Sequence, residues 1–280
     1  MMTVTNISAP VTSKVVHKVT GRRVLRAEWA KFWSLRSTWI TLGVAVFLLV
    51  LFGTIASFAY SPAEVADGGG NGPLGAEGSS TAVSLALTGV TFGSLAIGVL
   101  GVLLSAGEYT TGMIRSSLTA VPHRLPVLWS KAAVIGPIVV FLTSLAALAA
   151  FQLGTIGLDG ETISLSMGDD GVLRSLLGAG VYLALVSMLG VALGMLIRSS
   201  AGAIATLVGI LLILPGLASL LPDSWNDTLS PYFPSNAGNA IYSLTQSSGS
   251  LSPGAGLAVF AGWVALALAA AAYRLVKTDA

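Results

Sequence analysis

Six long apolar stretches, separated by polar segments, organise the chain. They cover roughly 37–60, 83–105, 130–156, 172–197, 201–221 and 254–273. Each is near the ~20 residues that a helix needs to cross a hydrocarbon core. The pattern therefore predicts an all-α, polytopic membrane protein with six transmembrane helices. Only Arg198, Ser199 and Ser200 separate the fourth stretch from the fifth, which predicts a tight turn. Pro215 lacks a backbone N–H and predicts a kink near the far end of the fifth helix. Two shorter patterns flank the first and second stretches. Residues 1–20 are rich in Thr, Ser and Val and read as a disordered tail. From Gly21 to Arg36 the period becomes helical. Leu25, Trp29 and Phe32 fall on one face, with Trp33 and Trp39 beside it, and Arg22, Arg23, Arg26, Lys31 and Arg36 occupy much of the rest. Tryptophan favours the headgroup layer and basic residues favour an anionic leaflet. This segment, with Arg26, Glu28, Trp29, Lys31, Trp33 and Arg36 as its marker residues, reads as an interfacial helix feeding the first span. The plainer alternative is a basic juxtamembrane stretch that sets topology.

The second pattern is the polar, basic segment Glu108–Lys131, EYTTGMIRSSLTAVPHRLPVLWSK. Thr110 and Thr111 can cap a short helix, Ile114, Leu118 and Val121 share one face, and Pro122 ends it. Arg115, Arg124 and Lys131 are expected to keep it out of hydrocarbon. The reading is a short amphipathic helix lying at the inner membrane surface and offering a face to something in the cytoplasm.

Composition agrees with the membrane assignment. The 280 residues are 54% hydrophobic and 9% charged, with mean hydropathy +0.84, where a soluble domain would carry about 25% charged residues. The net charge of +2 gives no footprint for nucleic acid, and none is expected as a partner. With both termini inside, every basic residue of the 14 except Arg174 lies on the inner side. Glu64, Asp67, Glu77, Asp159, Glu161, Asp169, Asp170, Asp223 and Asp227 place nine of the 12 acids outside. This asymmetry predicts a multi-pass protein of the cell inner membrane with both termini cytoplasmic. No cleavable signal peptide is expected, and residues 21–280 read as one transmembrane domain. The outer segment SPYFPSNAGNAIYSL predicts a short helix capping the outer end of the bundle.

Several chemistries find no equipment. There is no Gly-Lys dipeptide and so no phosphate-cradling loop, no cysteine, no HExxH spacing, and no charged residue at a span centre. The chain is therefore expected to be no enzyme and to hold no cofactor or metal of its own. Gln152 is the strongest polar group within a span; it contacts a substrate or hydrogen-bonds a neighbouring helix. Phe151, Ser187 and Met188 join it as a weak candidate pathway. Gly89-x-x-x-Gly93 and Gly190-x-x-x-Gly194 allow close helix approach, within one subunit or at a dimer seam.

Three stretches resemble the permease subunits of ABC-2-type ATP-binding-cassette exporters, especially small actinobacterial ones. They are LRAEWAKFWSLRSTW at 25–39, GEYTTGMIRSSLTAVPHRLPVLWSK at 107–131 and PYFPSNAGNAI at 231–241. The second is similar to the E-[YF]-x-x-G-x-[IL]-R-x-x-L…P-x-R…K pattern of the family, departing at Met113, where Thr is common. The resemblance implies two permease subunits, identical or related, above a separate pair of cytoplasmic ATPase subunits that hold ATP and magnesium. It implies that Glu108, Tyr109, Thr111, Gly112, Arg115 and Leu118 belong to a cytoplasmic coupling helix. Pro122, Arg124 and Lys131 would set its exit and anchor the third span. The expected function is ATP-driven export of a hydrophobic or amphipathic substrate such as a drug, antibiotic, peptide or lipid. An ion-coupled carrier, a membrane-embedded enzyme and an assembly component are the alternatives.

Overall fold

The computed structural model describes residues 20–61, 81–114, 124–218, 220, 222–246 and 249–277. The tail at 1–19, most of the first outer segment, and residues 115–123 lie outside them. Among the described residues the fold is entirely helical.

Helix α1 spans Gly21–Ser34 and α2 spans Arg36–Phe58. Leu35 separates them in an extended conformation, and the Ser34 hydroxyl donates back to the Lys31 carbonyl as α1 ends. The inward stripe of α1 is Val24, Glu28 and Phe32, at the i, i+4, i+8 spacing of one helix face. Of the residues expected on one face, Leu25 and Trp29 are exposed and Phe32 is buried.

Helix α3 is a single turn, Ala82–Ala86, capped by the reciprocal Thr81–Ser84 pair. A short turn leads into α4, Val90–Thr110. Gly89 at this turn lies against Leu49 of α2, where a Cβ would collide with backbone. Helix α5 runs from Leu125 to Gly157 and α6 from Val172 to Ile197. The fifth apolar stretch is composite. Helix α7, Ser200–Val208, passes into a π-helical stretch, Gly209–Ile213, and then α8, Leu214–Ala218. The irregularity expected at Pro215 thus takes the form of a π-helical stretch just before it. Beyond lie α9, Asp223–Leu229, a short 3-10 turn, and α10, Pro234–Tyr242. Helix α11, Pro253–Lys277, completes the chain.

Six helical stretches are long and apolar enough to cross a membrane: Arg36–Phe58, Ala82–Thr110, Leu125–Gly157, Val172–Ile197, Ser200–Leu217 and Pro253–Lys277. The second and third reach further into the segment between them than expected, so Glu108, Tyr109 and residues 125–129 are helical as well. The hub is α6, which packs against α4, α5, α7, α10 and α11. Its glycines make this possible. A Cβ at Gly190 would collide with the backbone of α4 at Gly98, and one at Gly194 with Ser105. The Gly190–Gly194 pair therefore serves packing inside this chain, bringing two backbones into contact. Helix α10 forms as expected and buries Pro234, Ala237, Gly238, Ala240 and Ile241. Its C-terminal end is pinned by Arg174, which donates to the carbonyls of Ile241 at 3.3 Å and Ser243 at 2.9 Å.

Candidate functional site

Four charged side chains from three helices meet at the basic end of the bundle. Helix α1 supplies Glu28 and Lys31, one turn apart. The last turn of α4 supplies Glu108, and α5, two turns in, supplies Lys131. Lys31 Nζ donates to Glu28 Oε1 at 2.8 Å and to Glu108 Oε1 at 3.0 Å. Lys131 Nζ donates to Glu28 Oε2 at 2.7 Å and to Glu108 Oε1 at 2.9 Å. The four close a ring of alternating sign and zero net charge. Both glutamates and Lys131 are buried, while Lys31 keeps 26% of its side chain exposed.

Charge-assisted bonds of this length are what make such burial tolerable, because an isolated buried ion is strongly disfavoured. Burial works to raise the Glu28 pKa, but the charges and hydrogen bonds of Lys131 and Lys31 outweigh it and hold the carboxyl below its ordinary value. Burial likewise works to lower Lys31, but Glu28 and then Glu108 outweigh it and hold the ammonium above its ordinary value. Lys131 was expected to keep its segment in water; it is instead a buried residue of α5, held there by two carboxylates.

The ring is one part of a girdle. Tyr109, next to Glu108, packs under the Arg198 guanidinium at 5.4 Å and points its hydroxyl at Met195 Sδ, 3.7 Å away. Arg198 closes α6 in a left-handed conformation, φ 61°, making the tight turn into α7. Arg274 of α11 donates to the Leu196 carbonyl at the end of α6. Arg124, just before α5, donates to the Leu275 carbonyl of α11 at 3.2 Å. Polar contacts thus run from α1 through α4, α6, α11 and α5 and back to α1.

The other predicted site residues divide. Gly112 has φ 72° and follows the C-cap Thr111, so it ends α4 in the left-handed conformation that glycine adopts most easily. The Thr110 and Thr111 hydroxyls, expected to cap a following helix, donate back to the Gly107 carbonyl and finish α4. Arg115, Leu118 and Pro122 lie outside the described residues. Arg26, Trp29, Trp33 and Arg36 are exposed, and Trp33 packs against Trp39 in a tilted pair with ring centroids 4.6 Å apart. The candidate pathway is not brought together. Phe151 and Ser187 are core residues, and Ser187 donates to its own helix at Ala184; Met188 packs on Gly136, and Gln152 is exposed on another face.

Sequence reasoning missed Glu28 and Lys31 as the partners of Glu108 and Lys131. A usable signal was present: Glu28 and Glu108 are rare acids at an end crowded with bases. Among the described residues no group of three or more His, Asp or Glu side chains is placed to hold a metal. The ring carboxylates are engaged by ammonium groups, so the arrangement cross-links helices and offers no nucleophile or general base. No protein-family model and no curated protein matches the chain.

Proposed function

We propose that this chain is the membrane-spanning permease subunit of an ATP-driven ABC-2-type exporter, with ATP hydrolysed by a separate cytoplasmic subunit. One observation supports the reading above the rest. The segment between the second and third spans leaves α4 beside Glu108 and re-enters α5 before Lys131, and both ends are cross-linked into the same ring and girdle. The mounting of its two ends is a stiff handle on the bundle: force applied there reaches α1, α4, α5, α6 and α11 together. Coupling to an ATPase requires such a handle, because a flexible loop would absorb the displacement. On this reading the basic end is cytoplasmic, α1 lies at the anionic inner leaflet, and a second identical or related permease completes the pathway. The charged residues of the described spans lie within two turns of a helix end, which suits a subunit driven from outside better than one driven by an ion crossing the span centres.

The test is purification from native membranes and a search for a co-purifying ATPase, followed by ATP hydrolysis in the recovered complex. Wild type is expected to retain the ATPase and stimulate it. Leu118→Asp, which leaves the ring intact, is expected to lose binding or stimulation while the permease stays monodisperse. Absence of any co-purifying ATPase, or wild-type behaviour of Leu118→Asp, overturns the reading.

A further inference from the structure

A cavity of about 780 Å³ opens between α1, the start of α2, the last turns of α4, and α5. That volume falls within the range of about 300–1,000 Å³ typical of small-molecule sites. Its lining has two parts. Phe32, Leu100, Val134 and Ile135 are buried and form an apolar floor. The exposed lining positions carry hydroxyls, at Ser34, Ser37, Thr110 and Thr111.

All four ring residues also line the cavity, yet their charges are spent on one another. Glu28 accepts on both oxygens, one from Lys31 and one from Lys131. Glu108 accepts twice on Oε1, and its other oxygen is fully buried. Lys131 is buried, and the partly exposed Lys31 is held by both carboxylates. An anion reaching Lys31 would compete with those carboxylates, and a cation would meet no accessible carboxylate oxygen. Either would leave net charge against an apolar floor, which is unfavourable. The hydroxyls narrow the choice further. Ser34 donates to the Lys31 carbonyl, and Thr110 and Thr111 donate to that of Gly107. With their protons turned to their own helices, they face the cavity as acceptors. We propose that this cavity binds an uncharged, largely apolar small molecule with one or two hydrogen-bond donors, and turns away ions of either sign. The site is read on the isolated chain, so it stands or falls separately from the exporter reading.

The test holds the skeleton constant and varies the charge. N-phenyl-1-naphthylamine is uncharged at neutral pH and has one N–H donor. Its 8-sulfonate is an anion, and a trimethylammonium analogue is a cation. Each would be titrated onto the detergent-purified full chain, with binding read by energy transfer from the tryptophans and by unfolding temperature. Wild type is expected to bind the neutral probe saturably, at least about tenfold more tightly than either ion. Gly107 lines the cavity and a Cβ there meets nothing within 4 Å, so Gly107→Phe takes up cavity volume. That variant is expected to unfold like wild type without probe and to lose the saturable binding. Lys31→Met leaves two carboxylates against one ammonium and is expected to turn the preference toward the cation. A linear rise alone, which is uptake by micelles, overturns the proposal. So does equal binding of the three probes, undiminished binding in Gly107→Phe, or an unchanged preference in Lys31→Met.

Discussion

The two ends of the bundle hold their charges in opposite ways. At the basic end Glu28, Lys31, Glu108 and Lys131 neutralise one another side chain to side chain, in a buried ring that spans three helices. At the other end Arg174 is exposed and donates to main-chain carbonyls at the tail of α10. The first arrangement has high stakes, since each member is needed to make the burial of the others tolerable. The second is a pin: the bond to Ser243 is exposed and that to Ile241 half-buried, and their loss leaves no charge buried. The same residue type can therefore be indispensable or nearly dispensable in one molecule, depending on whether its partners survive its removal.

Removing one ring charge is the strongest way to break this comparison. Glu108→Gln is expected to destabilise the fold by about 3–5 kcal/mol, since it strips a carboxylate from the buried Lys131 and the half-buried Lys31. Thermal unfolding in detergent would read it, and a loss below about 1 kcal/mol would put the ring on the same footing as Arg174. Removing a pair sharpens the point. Glu108→Met together with Lys131→Met takes out one acid and one base of similar volume to the replacements. The double variant is expected to be more stable than either single variant; additive losses would mean that the two groups are not coupled.

Acidity and alkalinity probe the same ring without mutation. Glu28 is depressed below its ordinary 4.5, so its contribution is present above that value and is lost as pH falls through the lower folded value. Lys31 is raised above its ordinary 10.5, so its contribution is complete below that value and is lost as pH rises through the higher folded value. Unfolding temperature is expected to be level between about pH 5 and pH 10 and to fall on both sides. A fall centred near neutrality would point to other groups. The smallest effect is expected at the opposite end: Arg174→Gln should cost about 1 kcal/mol, the scale of an ordinary hydrogen bond, and loosen α10 more than the bundle. Amide exchange confined to 234–242 would verify it.

Much of the architecture was legible in the sequence, because apolar length is a local property. The six stretches and the capping helix at 234–242 needed no knowledge of neighbours. Hydropathy did not tell α6 from the composite fifth helix, yet 72% of the α6 window is buried against 17% of the other. What separates them is glycine at contact positions such as Gly190, visible as a motif but assignable to α4 only in three dimensions. The site was half legible. Glu108 and Lys131 could be singled out by sign and place, whereas the Glu28–Lys131 contact joins residues 103 positions apart and follows from packing alone. The inward stripe of α1 follows from packing too: Glu28 is buried because lysines wait there. Gln152, conspicuous as a polar letter in an apolar run, turned out to face away from the core.

The ring also has a history, set by the order in which its members leave the ribosome. Glu28 and Lys31 emerge first and, three residues apart, can neutralise each other at once. Glu108 arrives after the second span has been made, when its partner Lys31 is already in the chain. Lys131 arrives 23 residues later and closes the circle. The two charges meet at the base of the hairpin that the second and third spans form, near the helix ends. With Lys131 in place the ring ties α1, α4 and α5 into a single body, and the last-made member is the one that joins the two glutamates of different helices.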